Sequence, residues 1–193
     1  MGKFFYNLGA VLIAGFIIAI AIMVLPDLGY RPPTGEVLNG VLQWSHVFFG
    51  ITWIGLLYYF NFVQIPTMPS VPAELKPAVS KHIAPVALFY FRWGAVFTLL
   101  TGVGLAETYG ETIPALTLQP EYRLIGIGMW LALIMAFNVW FIIWPNQKKA
   151  LGIVEVEADA KARAASLAMM ASRTNLILSL PMLYCMIAGA HIG

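Results

Sequence analysis

His46 is the residue best suited to chemistry, because it lies in a run from Val37 to Ala73 that contains no Asp, Glu, Lys or Arg. A charge-free run of this length is typical of a membrane span. An ionisable side chain within a span is costly and marks a candidate functional site. On a helix, His46 shares one face with five residues at offsets of 4, 7, 11, 15 and 18: Gly50, Trp53, Leu57, Asn61 and Gln64. We expect this small and polar face to point into a helical bundle.

A neutral imidazole in an apolar bundle is a suitable axial ligand for the iron of haem b. Gly50, one turn from His46, would let a flat macrocycle approach the backbone, and Trp53 could pack on its ring. The structural alternative is a histidine hydrogen-bonded between helices, with Gly50 as a small-residue packing position. The residues alone leave both interpretations open.

The predicted depth in the membrane distinguishes three further ionisable residues. His191 is predicted near the same membrane surface as His46, so it is a possible second metal ligand. His82 is predicted near the opposite surface, about 30 Å away, which is too far to share a metal with His46. Arg92 is predicted deep in the third span, where it needs an acceptor: a haem propionate, an anionic substrate, a lipid headgroup or backbone carbonyls.

Composition excludes several classes of protein. The 193 residues are 60% hydrophobic and 10% charged, with a mean hydropathy of +0.80, whereas soluble domains have roughly 25% charged residues. No Asp or Glu falls within a predicted span, which disfavours cation transport. Cys185 is the lone cysteine and no C-x-x-C-H motif occurs, so an intrachain disulfide, a thiolate cluster and covalent c-type haem are excluded. No basic stripe supports nucleic-acid binding.

The elements that must position these residues are predicted to be the helices of an all-α integral membrane protein, forming a single transmembrane domain over residues 1–193. Its five spans approach or reach the roughly 20 residues needed to cross the hydrocarbon core. They are residues 4–26, 41–65, 84–106, 123–144 and 174–192. The first is expected to be a retained span, because its apolar core exceeds that of a signal peptide. A cytoplasmic helix is predicted over residues 149–172, leading into the last span.

The distribution of Lys and Arg predicts the orientation in the membrane. Eight of them fall at the N-terminus and in the second and fourth connections, and two fall in the first and third. The positive-inside rule therefore predicts a cytoplasmic N-terminus and a periplasmic C-terminus in a bacterial inner membrane.

Three sequence blocks resemble the membrane domain of bacterial PuuD-type urate oxidases (urate hydroxylases). They are His46–Phe62, Asn138–Lys148 and Ser172–Asn175 with Ser179–Pro181. The pattern of His46, Trp53, Gly55 and Leu56 is more distantly similar to the HemJ-type membrane protoporphyrinogen oxidases, although no lysine lies within a predicted span here.

The resemblance implies a membrane redox protein with His46 as its family-like histidine. Urate oxidases of this type carry further spans and a C-terminal cytochrome c domain, which the 193 residues lack. Three functions follow as expectations. The first is a b-haem redox subunit with His46 and His191 as ligands, Gly50, Trp53 and Arg92 around the cofactor, and a membrane subunit or cytochrome as electron partner. The second is a non-catalytic accessory subunit of a larger membrane complex. The third is an independent enzyme acting on urate or a porphyrinogen. Catalytic residues are not predicted.

Overall fold

A computed structural model describes residues 2–24 and 34–191, and within these residues it is helical, with no strand. The chain divides into two compact units, Met1–Val41 and Leu42–Gly193. The prediction of a single transmembrane domain over the whole chain stays a prediction.

The first unit contains a short helix, α1 (Gly2–Phe5), and an apolar helix, α2 (Leu8–Val24). The Asn7 side-chain oxygen accepts a hydrogen bond from the backbone N–H of Ala10 at 3.1 Å. This N-cap explains why α2 begins at Leu8 and not at residue 4, where the first span was predicted to start.

Helices α3 (Thr34–Tyr58) and α6 (Ala84–Thr108) are antiparallel and pack closely. Two short helices lie between them along the chain, α4 (Ile65–Thr67) and α5 (Lys76–Ala78). Helix α6 is followed by Gly110, whose φ of 71° ends the helix, since this backbone conformation favours glycine.

The rest of the chain begins with α7 (Thr112–Leu116) and continues into α8 (Arg123–Phe137), α9 (Trp144–Ala150) and α10 (Ala158–His191). The prediction that a cytoplasmic helix begins at residue 149 was wrong. Residues 149 and 150 belong to α9, and Gly152 then adopts a φ of 75° that breaks the helix before α10 begins at Ala158. From Ala158, α10 continues without a break to His191 and so includes residues 174–191 of the predicted fifth span.

Wider turns of π-helix interrupt the long helices at three places in the part of the chain that the structure describes. They are Tyr59–Gln64 after α3, Val79–Ile83 before α6 and Asn138–Ile143 between α8 and α9. Such segments are rare and are found frequently at functional sites. Two of them carry a buried asparagine, Asn61 and Asn138.

Three continuous helical stretches among the described residues are long and apolar enough to cross a membrane: Glu36–Ser70, Lys76–Thr108 and Pro120–Ala150. They contain the second, third and fourth predicted spans. Helix α2 is apolar but shorter, and α10 includes the fifth predicted span, so a total of five spans stays a prediction. The many exposed apolar side chains, such as Phe141 and Ile177, suit contact with a lipid bilayer. The chain is a membrane protein.

Large side chains from three helices fill the core, with Trp53 and Leu57 of α3, Phe91 of α6 and Met135 of α8 all fully buried. Small residues bring the helices together elsewhere. A Cβ atom added at Gly128 of α8 would lie 3.0 Å from the Cys185 Cβ of α10. Close packing through small residues is the usual way in which membrane helices associate.

Candidate functional site

His46 belongs to α3, and its half-buried ring packs against the backbone of α6. Its Nδ1 atom is 2.9 Å from the backbone oxygen of Thr98. A carbonyl oxygen only accepts hydrogen bonds, so Nδ1 must carry the proton that it donates. The remaining nitrogen, Nε2, therefore has a free lone pair, and it has no hydrogen-bond partner among the described residues. This is the tautomer that binds a metal through Nε2.

Gly102 of α6 makes the position of the His46 ring possible. A Cβ atom at this residue would lie 2.7 Å from the His46 Cε1 atom and 2.9 Å from Nδ1, closer than a real Cβ approaches its neighbours. Neither Gly102 nor Thr98 was predicted from the sequence. The pattern that could have indicated them is the recurrence of Gly94, Thr98 and Gly102 at intervals of four, which places three small residues on one face of α6.

Gly50 and Trp53 lie in the packed contact between the same two helices. A Cβ atom at Gly50 would lie 3.9 Å from the Thr98 Cγ2 atom, an ordinary contact. Trp53 is fully buried, and its backbone nitrogen lies 3.2 Å from the position of a Cβ atom at Gly94. Both residues therefore hold α3 against α6 and fix the level at which His46 meets Thr98.

Arg92 of α6 is buried, with 9% of its surface exposed, and its Nε and Nη1 atoms have no hydrogen-bond partner. Its guanidinium lies over Trp144, with Cζ 3.3 Å from the ring centroid, and 5.8 Å from the Trp140 centroid. A desolvated cation–π contact contributes about 2 kcal/mol. Burying an unpaired charge costs several kcal/mol. The aromatic contact alone therefore leaves the Arg92 charge undercompensated.

The other two histidines do not join this arrangement. His82 is exposed. His191 is the last residue of α10, but its side chain lies outside the described residues, so its predicted role as a second ligand stays a prediction. Among the residues that the structure describes, no three His, Cys, Asp or Glu side chains form a group that could hold a metal. An axial ligand to a haem iron requires only one such side chain.

Buried polar side chains link α8 and the neighbouring π-helical turn to α10. The Asn138 Nδ2 atom donates to the Asn175 Oδ1 atom at 2.7 Å, and Asn175 Nδ2 donates to the Met135 backbone oxygen at 3.0 Å. Asn138 and Asn175 therefore connect neighbouring helices. A similar bond, from Asn61 Nδ2 to Ser172 Oγ at 2.9 Å, joins the end of the α3 stretch to α10. Such bonds contribute about 0.6 kcal/mol each in membrane proteins.

The part of the chain that contains Asn138 and Asn175 also carries the similarity to known proteins. A family model described as "Urate oxidase N-terminal" matches residues 115–192. This segment is urate-oxidase-like. The match covers α8, α9 and α10, less than half of the chain, and includes the second and third blocks on which the resemblance rested. It does not reach His46 or Arg92. No curated protein and no solved structure matches the chain significantly.

Proposed function

We propose that the protein is a urate-oxidase-like redox domain of the bacterial inner membrane that binds haem b through Nε2 of His46. The observation that carries the proposal is the hydrogen bond between His46 Nδ1 and the Thr98 carbonyl. Histidines that bind metals almost always donate their other ring N–H to a backbone carbonyl or carboxylate, which fixes the tautomer and raises the basicity of the ligating nitrogen.

The surroundings of His46 also suit an apolar macrocycle. The rings of Phe49 on α3 and Phe97 on α6 stack across the helix pair with centroids 4.8 Å apart, close in sequence to His46 and Thr98. Such aromatic surfaces exclude water and offer flat apolar contacts. Haem b, when bound, would supply one-electron chemistry. The protein's own residues would supply the ligand, its orientation and a water-poor environment.

Haem b held by one histidine would supply one-electron chemistry, and electron transfer is the role that we propose for this site. We therefore propose that a cytochrome or another membrane subunit receives the electrons. In the orientation predicted from Lys and Arg, His46 lies toward the periplasmic surface, where such a partner would dock.

The test is a reduced-minus-oxidised absorption spectrum of the protein purified in detergent, with a pyridine haemochrome assay. His46→Ala should lose the b-type signal. His82→Ala is the matched control, because His82 is exposed, and it should keep the signal. A folded wild-type protein that has no haem, even after reconstitution with haemin, would refute the proposal. The accessory subunit without a cofactor would then be the function to pursue, by native purification of its complex.

A further inference from the structure

The guanidinium of Arg92 is buried beside other hydrogen-bond donors, and the proposed redox function does not use this residue. Its Nε and Nη1 atoms are buried without partners, while Nη2 is not among the buried atoms and so remains accessible. Arg92 makes no ion pair with any carboxylate in the part of the chain that the structure describes.

Two indole N–H groups from the same packed region are donors without acceptors. Trp140 lies 5.8 Å from the guanidinium carbon, and its Nε1 atom is buried without an acceptor. Nε1 of Trp53 is unpaired as well, and the Trp53 backbone packs on Gly94, two residues from Arg92. An indole N–H and a guanidinium can only donate. What such a group of side chains lacks is an acceptor that carries negative charge.

Buried amide oxygens do not fill that place, because those of Asn61, Gln64 and Asn138 have no hydrogen-bond partner among the described residues. Asn138 also has an unpaired oxygen, but its amide nitrogen donates to Asn175 and to the Ala171 carbonyl on α10. Trp140, two residues later in the same π-helical turn, contacts Trp93 of α6 instead, with ring centroids 5.8 Å apart. Asn138 and Trp140 therefore point toward different neighbouring helices, and the donors on the α6 side keep no acceptor of their own.

A second cation borders the site. The Lys148 Nζ atom of α9 lies 5.7 Å from the centroid of the same Trp144 ring that Arg92 covers. Arg92 and Lys148 therefore both place positive charge beside the Trp144 ring. Guanidinium groups bind phosphate through two parallel N–H···O bonds, and lysine adds a point charge.

We propose that Arg92, with Lys148 and the Trp140 N–H, binds a phosphate group. The group could belong to the headgroup of an anionic lipid or to a free phosphate, and the chemistry of recognition is the same. The site is separate from His46, because Thr98, which holds His46, is six residues from Arg92 on α6, about 9 Å along the helix.

The experiment measures thermal unfolding of delipidated protein in phosphate-free detergent buffer. Inorganic phosphate and short-chain phosphatidylglycerol are added separately, with chloride at equal ionic strength as the control for screening. One phosphate source should raise the unfolding temperature of the wild type by several degrees, and chloride should not. A response to phosphatidylglycerol alone identifies a lipid, and a response to inorganic phosphate identifies a free ligand.

Arg92→Met provides the decisive comparison. It should unfold at the same temperature as the ligand-free wild type or above it, because an unpaired buried charge is removed, and it should not respond to either phosphate source. Arg173→Met is the matched control, because Arg173 is exposed, and it should respond as the wild type does. Native mass spectrometry should show at least tenfold weaker retention of the phosphate ligand by Arg92→Met.

Three results would overturn the proposal. The first is a wild type that responds to neither source. The second is an Arg92→Met protein that unfolds well below the ligand-free wild type, since the guanidinium would then be stabilising without an anion. The third is loss of the wild-type response in His46→Ala, because the phosphate site would then depend on the His46 site. A retained response in His46→Ala supports the site even if the haem proposal fails.

Discussion

Replacing Gly102 with alanine should separate haem binding from folding. The added methyl group would lie 2.7 Å from Cε1 of His46, well short of the 3.4 Å at which ordinary contact begins. The ring must therefore move away from α6, and the 2.9 Å bond between Nδ1 and the Thr98 oxygen must lengthen or break. The atoms in conflict belong to a side chain and not to the backbone, so the helices themselves can stay in place.

The effect on stability should be small because two contributions oppose each other. Losing one hydrogen bond costs about 1 kcal/mol. Placing alanine where a helix had glycine contributes about 1 kcal/mol in the other direction. The free energy of unfolding should therefore change by less than about 1 kcal/mol. Haem affinity should instead fall about 10- to 100-fold, the usual result of removing the group that orients a metal ligand.

The assays are haem titration of the apoprotein, followed by the Soret band, and thermal unfolding in the same detergent. Gly55→Ala is the matched control, because a Cβ atom at Gly55 meets nothing within 4 Å. It should leave haem affinity unchanged. Wild-type affinity in Gly102→Ala would refute the role given to the Thr98 bond. A loss of stability above about 3 kcal/mol would show that the ring cannot move, and that the helix contact itself fails.

Two other substitutions test the packing that carries the site. Asn175→Ala should lower the free energy of unfolding by about 1–3 kcal/mol, because it leaves buried hydrogen-bond groups unpaired. Asn146→Ala, at a half-buried side chain whose hydrogen bond to the Ile142 carbonyl is exposed, should change it by less than about 0.5 kcal/mol in the same denaturation assay. Gly126→Ala should prevent correct folding, measured by monodisperse yield, because its Cβ atom would overlap the Ala115 carbonyl oxygen. A normal yield beside that of Gly55→Ala would contradict this packing.

Helical periodicity predicted the inward face of α3 well. Five residues were placed on one face with His46. Of these, Trp53, Leu57 and Asn61 are buried, and Gln64 has a buried side-chain oxygen. The pattern succeeds because a helix in a bilayer has few ways to satisfy polar groups except toward another helix.

The acceptor for His46 could not be read from the sequence. Thr98 offers its backbone carbonyl, a group that every residue possesses, and only the approach of α6 through Gly102 selects this one. The partner of Arg92 was missed for a related reason. Trp140 and Trp144 fit an interfacial belt by sequence, and their contact with Arg92 depends on how α6 packs against the chain near α9. The start of α10 was misplaced because no proline lies between Lys149 and Ala158, and the break depends on Gly152.

The three π-helical turns also affect how relatives of this chain should be compared. A π-helical turn holds about one residue more than an α-helical turn of the same height. A relative that has an ordinary turn in place of Tyr59–Gln64 or Asn138–Ile143 would be one residue shorter there. Single-residue gaps inside these spans should therefore be kept in an alignment, because they would show which relatives have lost the turns that contain Asn61 and Asn138.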